Sequence, residues 1–156
     1  MIQKLTGSEG RTAVFAGSFD PFTRGHDDIV RRGLELFDHI VIAIGVNASK
    51  PGAQTRAADS ATAIRRLYAD DPRVEVAVYT CLTVDFARSL GAQFLLRGVR
   101  SVKDFEYERD MADINRQLSG LETVILFSSP ELSAVSSSVV RELAAYGHDV
   151  SAFLPQ

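Results

Sequence analysis

Apolar residues along the chain fall into five short blocks, and the segments between the blocks follow a different rhythm. The blocks are Thr12-Ala13-Val14-Phe15-Ala16, His39 to Gly45, Val74 to Tyr79, Gln93 to Leu96 and Thr123 to Phe127. The second is apolar without alternation, which predicts a strand covered on both faces, as in a parallel sheet. After the first block, Ile29, Val30, Gly33, Leu34 and Phe37 recur at helical spacing. Val46 to Gln54 reads as a loop. Ala57, Ala61, Ile64, Leu67 and Tyr68 then predict a helix from about Thr55 to Ala69, stopped by Asp70-Asp71-Pro72 because proline cannot continue the ladder. A short helix from Thr83 to Leu90 turns Phe86, Ala87 and Leu90 inward and closes at Gly91. Ser101 and Asp104 resemble a capping box at the start of a longer helix. On that helix Tyr107, Met111, Ile114 and Leu118 share one face, and Glu108, Ala112 and Asn115 share another. Tyr107 reads as a core residue rather than a ligand. A last helix, Val139 to Tyr146, follows Ser136-Ser137-Ser138, and the tail is irregular. Strands that alternate with helices predict a single doubly wound α/β domain over residues 12–156.

Composition narrows the function classes. The chain has 156 residues, enough for one core, and an apolar share of 46% that fits an ordinary globular domain. A formal charge of −3 argues against a general nucleic-acid surface, so cations that serve a ligand must be local. The lone Cys81 rules out an internal disulfide and fits a reducing compartment. No partner histidine is implied for it as a nucleophile. Residues 1–11 form a polar extension that need not be ordered and that lacks the apolar centre of a signal peptide. No run is long enough to span a membrane, and a cytoplasmic protein is expected.

The candidate chemistry gathers at Gly17-Ser18-Phe19-Asp20-Pro21-Phe22-Thr23-Arg24-Gly25-His26, a strand-to-helix turn. Gly17 is expected to let the backbone approach a ligand, and Asp20-Pro21 to form the turn. Gly25-His26 stands at a helix start, where unpaired N–H groups and the positive end of the dipole suit an anion. In open α/β sheets ligands bind beyond the carboxyl ends of the strands. Candidate residues follow every strand: Gly17 and Ser18, Lys50, Thr83, Arg97-Gly98-Val99-Arg100, and the segment Ser128 to Ser138. Taken singly, Arg97 and Glu108 also read as a plain salt bridge and the serine triplet as a helix cap. His39 and His148 carry no motif.

The ordered set Gly-Ser-Phe-Asp-Pro followed by Thr-Arg-Gly-His resembles the signature of the T/HxGH nucleotidyltransferases. With Thr23 as its first member it is similar to the phosphopantetheine adenylyltransferase family. Arg97-Gly98-Val99-Arg100 with Asp104-Phe105-Glu106-Tyr107-Glu108 resembles that family's second signature, and Ser136-Ser137-Ser138 its third. The resemblance runs from about Thr12 to Pro155. It implies a Rossmann-like five-stranded parallel sheet in the order 3-2-1-4-5. It also implies reversible adenylyl transfer from ATP to 4′-phosphopantetheine, with Mg2+ carried on the triphosphate, a homohexamer, and feedback by coenzyme A. By position it makes His26 the catalytic group. It assigns Ser18, Phe19, His26, Gly98, Val99, Arg100 and Glu108 to ATP, with the loop of Leu132, Ser133, Ala134, Val135, Ser136, Ser137 and Ser138. It assigns Ser18, Lys50, Thr83 and Arg97 to phosphopantetheine. The chain departs from the family at 52–60, which lacks an aromatic and a Glu-Glu-Arg run, and at Leu132, where an aromatic is usual.

Two rivals remain at this level. A cytidylyltransferase acting on an alcohol phosphate shares the first signature, but Lys50 and the complete Arg-Gly-x-Arg segment favour the adenylyl reading. A non-catalytic nucleotide-binding module has less need of His26.

Overall fold

The computed structural model describes residues 10–156. Most of the polar extension, residues 1–9, therefore lies outside the described residues, and Arg11 is already held through its N–H to Asp38 Oδ2 at 2.7 Å. Five strands follow in chain order: β1 (Thr12–Gly17), β2 (His39–Gly45), β3 (Val74–Tyr79), β4 (Phe94–Val99) and β5 (Glu122–Phe127). They form one parallel sheet in the order β3-β2-β1-β4-β5. The helices are α1 (Arg24–Gly33), α2 (Ala53–Leu67), α3 (Thr83–Ser89), α4 (Val102–Ser119) and α5 (Ser137–Ala145). This is the doubly wound α/β fold the pattern predicts. None of the described helices is long and apolar enough to cross a membrane.

The two-residue period of a strand divides the core between the faces of the sheet. On β1, Ala13 and Phe15 join Ile40, Ile42, Ile44 and the inner sides of α1 and α2. Val14 and Ala16 join Val41, Ala43 and Leu95 with α3 on the other face. Covering each such large side chain stabilises the fold by roughly 1.5–3 kcal/mol. The continuous apolar run of β2 is thus explained, since both of its faces are buried.

Several expectations are corrected. β4 does not stop at Leu96; it continues through Val99, because Arg97, Gly98 and Val99 pair with Ile125, Leu126 and Phe127 of β5. Arg97 to Val99 are therefore strand residues and not a loop after the strand. Helix α2 starts earlier than Thr55, behind Gly52 at φ 70, and ends at Leu67, so Pro72 lies beyond the stop rather than causing it. Ser101 Oγ accepts from Asp104 N at 3.2 Å, but the Asp104 carboxylate accepts from Arg100 N, leaving the box half made. Ser151–Phe153 forms a single 3-10 turn in the tail expected to be irregular, and Pro130–Leu132 forms another within the segment after β5. Tyr107 is 63% exposed, not core. Met111, Ile114 and Leu118 share its outward face, and α4 packs on the sheet through the Glu108 side instead.

Candidate active site

The signature turn is built outward from β1. Thr23 caps α1 in a reciprocal box: its side chain accepts from His26 N, and Thr23 N donates to His26 Nδ1 at 3.0 Å. Because Nδ1 is the acceptor in that bond, the ring proton sits on Nε2. The sequence carries the sign of this box in the spacing Thr-x-x-His, with histidine where glutamate or glutamine is usual. Thr23, at 1% exposure, is thus a structural member of the site, outside the set of ligand residues that the resemblance implies.

His26 is enclosed by rings. Phe19 meets it edge-on at 5.0 Å, and Phe22 lies at 5.4 Å. Burial is the main cause that lowers its pKa, to about 4, with the charges of Arg97 and Arg100 adding to it. The imidazole is therefore neutral at pH 7.

A cavity of about 290 Å3 opens at this point. Two helix N-termini contribute to its wall, α1 through Gly25 and His26 and α5 through Ser136, Ser137 and Ser138. Arg97 and Arg100 supply positive charge, Gly17, Ser18 and Phe19 the turn, and Gly98 the floor. A β-carbon at Gly98 would come within 2.9 Å of Ile29, so glycine is what lets α1 lie this close to β4. Gly17 lines the cavity and also makes room for the signature turn, since a β-carbon there would meet the Phe19 ring at 3.1 Å. The cavity wall has donors and cations and, among the described residues, no carboxylate. Such a set suits a polyphosphate.

Two further cavities join this one through shared residues. The first, about 430 Å3, shares Ser18 and is lined by Lys50, Arg56, Arg141 and Asp20. The second is a slot of about 200 Å3 that shares Arg97 and runs between α3 and α4, lined by Leu82, Thr83, Met111, Ala112, Asn115 and others. Thr83 Oγ1 is held there by the Tyr79 hydroxyl at 2.7 Å. Arg97 stands between the cavity and the slot because Glu108 grips it from α4.

The predicted residues accordingly divide. Ser18, Phe19, His26, Arg97, Gly98, Arg100, Val135, Ser136, Ser137 and Ser138 line one cavity. Lys50 and Thr83 stand in the two annexes. Glu108 lines the slot, and Val99 is buried at 1% exposure. Leu132 is buried at 8% exposure, while Ser133 and Ala134 are exposed; none of these three lines the cavity. The serines do different work: Ser136 Oγ caps α5 by accepting from Val139 N, and Ser137 Oγ donates to Pro21 O at 2.8 Å. Leu82, Met111, Asn115, Arg56 and Arg141 carry no local sequence signal, since only the packing of α2, α3, α4 and α5 brings them to the site.

Comparison with known proteins matches this arrangement. Residues 14–143 fit the cytidylyltransferase-like family model. A phosphopantetheine adenylyltransferase of Phocaeicola vulgatus is 52% identical over 146 residues, covering 94% of this chain and 96% of the relative. One of Porphyromonas gingivalis is 54% identical over 147 residues, covering 92% and 94%. The chain belongs to the phosphopantetheine adenylyltransferases. A crystal structure from Vibrio parahaemolyticus, assigned as a nicotinate-nucleotide adenylyltransferase, superposes with a TM-score of 0.61 at 13% identity over 94% of each chain, a likeness of fold.

Proposed function

We propose that this chain transfers the adenylyl group of ATP reversibly to 4′-phosphopantetheine, releasing pyrophosphate and forming dephospho-coenzyme A, a cytoplasmic step of coenzyme A biosynthesis. The observation that carries the reading is His26: half-buried, neutral, with Nδ1 occupied and Nε2–H left for a cavity flanked by Arg97 and Arg100.

In the reaction a phosphate oxygen of the acceptor attacks the α-phosphorus of ATP. The bond from that phosphorus to the bridging oxygen breaks, and pyrophosphate leaves with the electron pair. The nucleophile is already an anion, so no carboxylate base is required. The protein's task is to align two groups that repel each other and to place donors where charge grows. His26 Nε2–H serves the α-phosphate oxygen. Arg100 and the N-termini of α1 and α5 hold the triphosphate. Ser18, Arg97 and Lys50 hold the acceptor's phosphate where the cavity meets its annexes, and its arm follows the slot past Thr83. The cavity wall offers no carboxylate among the described residues to hold a cation, so Mg2+ would be carried on the triphosphate and would neutralise charge that the protein leaves uncovered.

The exposed row Tyr107, Met111, Ile114 and Leu118 on α4 supports assembly into a homohexamer. Coenzyme A, which shares the product's pantetheine and adenylate parts, would compete for the same cavities and act as feedback. The deciding experiment measures pyrophosphate release with ATP and with CTP, each with and without phosphopantetheine. Release that needs both ATP and phosphopantetheine supports the reading. Turnover with CTP in place of ATP overturns it.

A further inference from the structure

Phe19 has φ 46, a left-handed backbone that residues bearing a β-carbon rarely adopt. Such a conformation persists only where its surroundings fix it, and it gathers at functional sites. Here it sends the ring, 2% exposed, edge-on against His26 and against Phe15 and Phe22 at 5.1 and 5.4 Å.

What fixes it is a set of donors to three consecutive carbonyls. Ser60 Oγ donates to Phe19 O at 3.0 Å, Arg141 to Asp20 O, and Ser137 Oγ to Pro21 O at 2.8 Å. Ser137 and Arg141 also line the cavities assigned to reactants, whereas Ser60 lines neither. A serine inside a helix commonly bonds back to its own preceding turn. Ser60 instead reaches 41 positions along the chain to the signature turn.

We propose that Ser60 is a positioning residue for the transfer reaction: its hydroxyl fixes the left-handed Phe19, whose ring holds His26 in line with the reacting phosphorus. The inference rests on the adenylyl-transfer reading. Ser60 touches no reactant and acts through Phe19 alone. When the bond is lost, Phe19 relaxes toward ordinary backbone and its ring withdraws from the imidazole. Water then reaches the side of the His26 ring that Phe19 covers. Burial is the first cause of its depressed pKa, so the titration moves up toward that of a free imidazole. Arg97 of β4 and Arg100, just beyond β4, still face it and keep part of the depression.

The test compares Ser60→Ala and Ser60→Thr with the parent by steady-state and single-turnover pyrophosphate release, thermal melts, and NMR titration of the His26 ring. Ser60→Ala is expected to lose roughly five- to tenfold in kcat with both KM values within about twofold. Its His26 titration rises, and Ser60→Thr restores most of both properties. A variant with parental kcat per folded molecule and an unmoved His26 titration overturns the proposal, whatever its melting temperature. Should Ser60→Ala fail to fold, Ser60→Cys keeps the volume, weakens the donor and is judged by the same two outcomes. A parent that releases no pyrophosphate with phosphopantetheine would remove the reading of the reaction instead, and the His26 titration would still decide whether Ser60 positions that ring.

Discussion

Arg97 and Glu108 meet in a two-pronged ion pair, Nε to Oε2 at 2.9 Å and Nη2 to Oε1 at 2.6 Å, while the third guanidinium nitrogen donates to Ala16 O. The pair ties β4 to both β1 and α4, and it sets the charged side chain common to the phosphate cavity and the slot. Its two earlier readings, salt bridge and ligand site, therefore do not compete: the bridge aims the arginine.

Glu108→Gln should test this. The carboxylate side chain is 10% exposed and the guanidinium 34%, so solvent screens the unpaired cation in part. The cost is expected at about 1–3 kcal/mol, below that of breaking a fully buried pair. Acceptor affinity should fall with it, because Arg97 loses its fixed direction. Urea denaturation beside acceptor titration measures both, and unchanged values in each would leave the pair without a role in aiming.

How far the sequence discloses this site depends on what each residue's neighbours are. The strand order follows a resemblance, but the strands themselves are plain in runs such as His39 to Gly45, where both faces are apolar. The extension of β4 is not, since Arg97 and Gly98 break the apolar run; only hydrogen bonding to β5 keeps them in the sheet. Tyr107 misleads because an amphipathic helix has two apolar candidates for its inner face, and the tie from Glu108 to Arg97 decides between them. His26 and the serine triplet are legible through local signatures. Ser60 and Arg141 are not, because their partners are the carbonyls of a turn that is distant in sequence.

The outward row on α4 should be an interface. Light scattering at micromolar concentration is expected to give about six times the 17.0 kDa chain mass. Ile114→Asp, which puts a charge amid Tyr107, Met111 and Leu118, should lower that mass. A parental chain that scatters as a monomer refutes the assembly.

The annexes give separate handles on the two substrates. Lys50→Ala should weaken phosphopantetheine far more than ATP, since Lys50 stands in the cavity that joins the site through Ser18. Arg100→Ala should do the reverse, because Arg100 lines only the cavity with the two helix N-termini. Titrations with equal losses for both ligands in both variants would mean that the halves of the site are misassigned.

Stability should carry the signature of a half-buried, neutral histidine. In the unfolded chain His26 takes up a proton near pH 6.5, whereas in the fold it resists until about pH 4. The unfolded state thus binds more protons between these values, and stability must fall as pH drops through that window. The contribution, roughly 3 kcal/mol, is fully present above pH 6.5 and is lost by pH 4. Urea midpoints from pH 7.5 to 4.5 should show the decline, and His26→Gln should flatten it. Equal slopes in parent and variant would show that His26 is not the group responsible.

The last expectation separates the cap from the catalyst. Nδ1 of His26 belongs to the Thr23 box, and Nε2–H belongs to the cavity, so one ring does two jobs. If the Nε2–H bond tightens only as the α-phosphorus becomes five-coordinate, it lowers the barrier without strengthening ground-state binding. Losing a donor of this kind typically costs about 10²–10³ in rate, roughly 3–4 kcal/mol. Losing half of a capping box costs only about 1 kcal/mol of stability. His26→Ala should therefore remain folded, bind ATP within about threefold of the parent, and turn over at least about a hundred times more slowly. A histidine that served only as a cap would give the opposite pattern, with the melting temperature lowered and turnover per folded molecule preserved. Thermal melts beside single-turnover kinetics distinguish the two, and a destabilised but fully active variant would take His26 out of the mechanism.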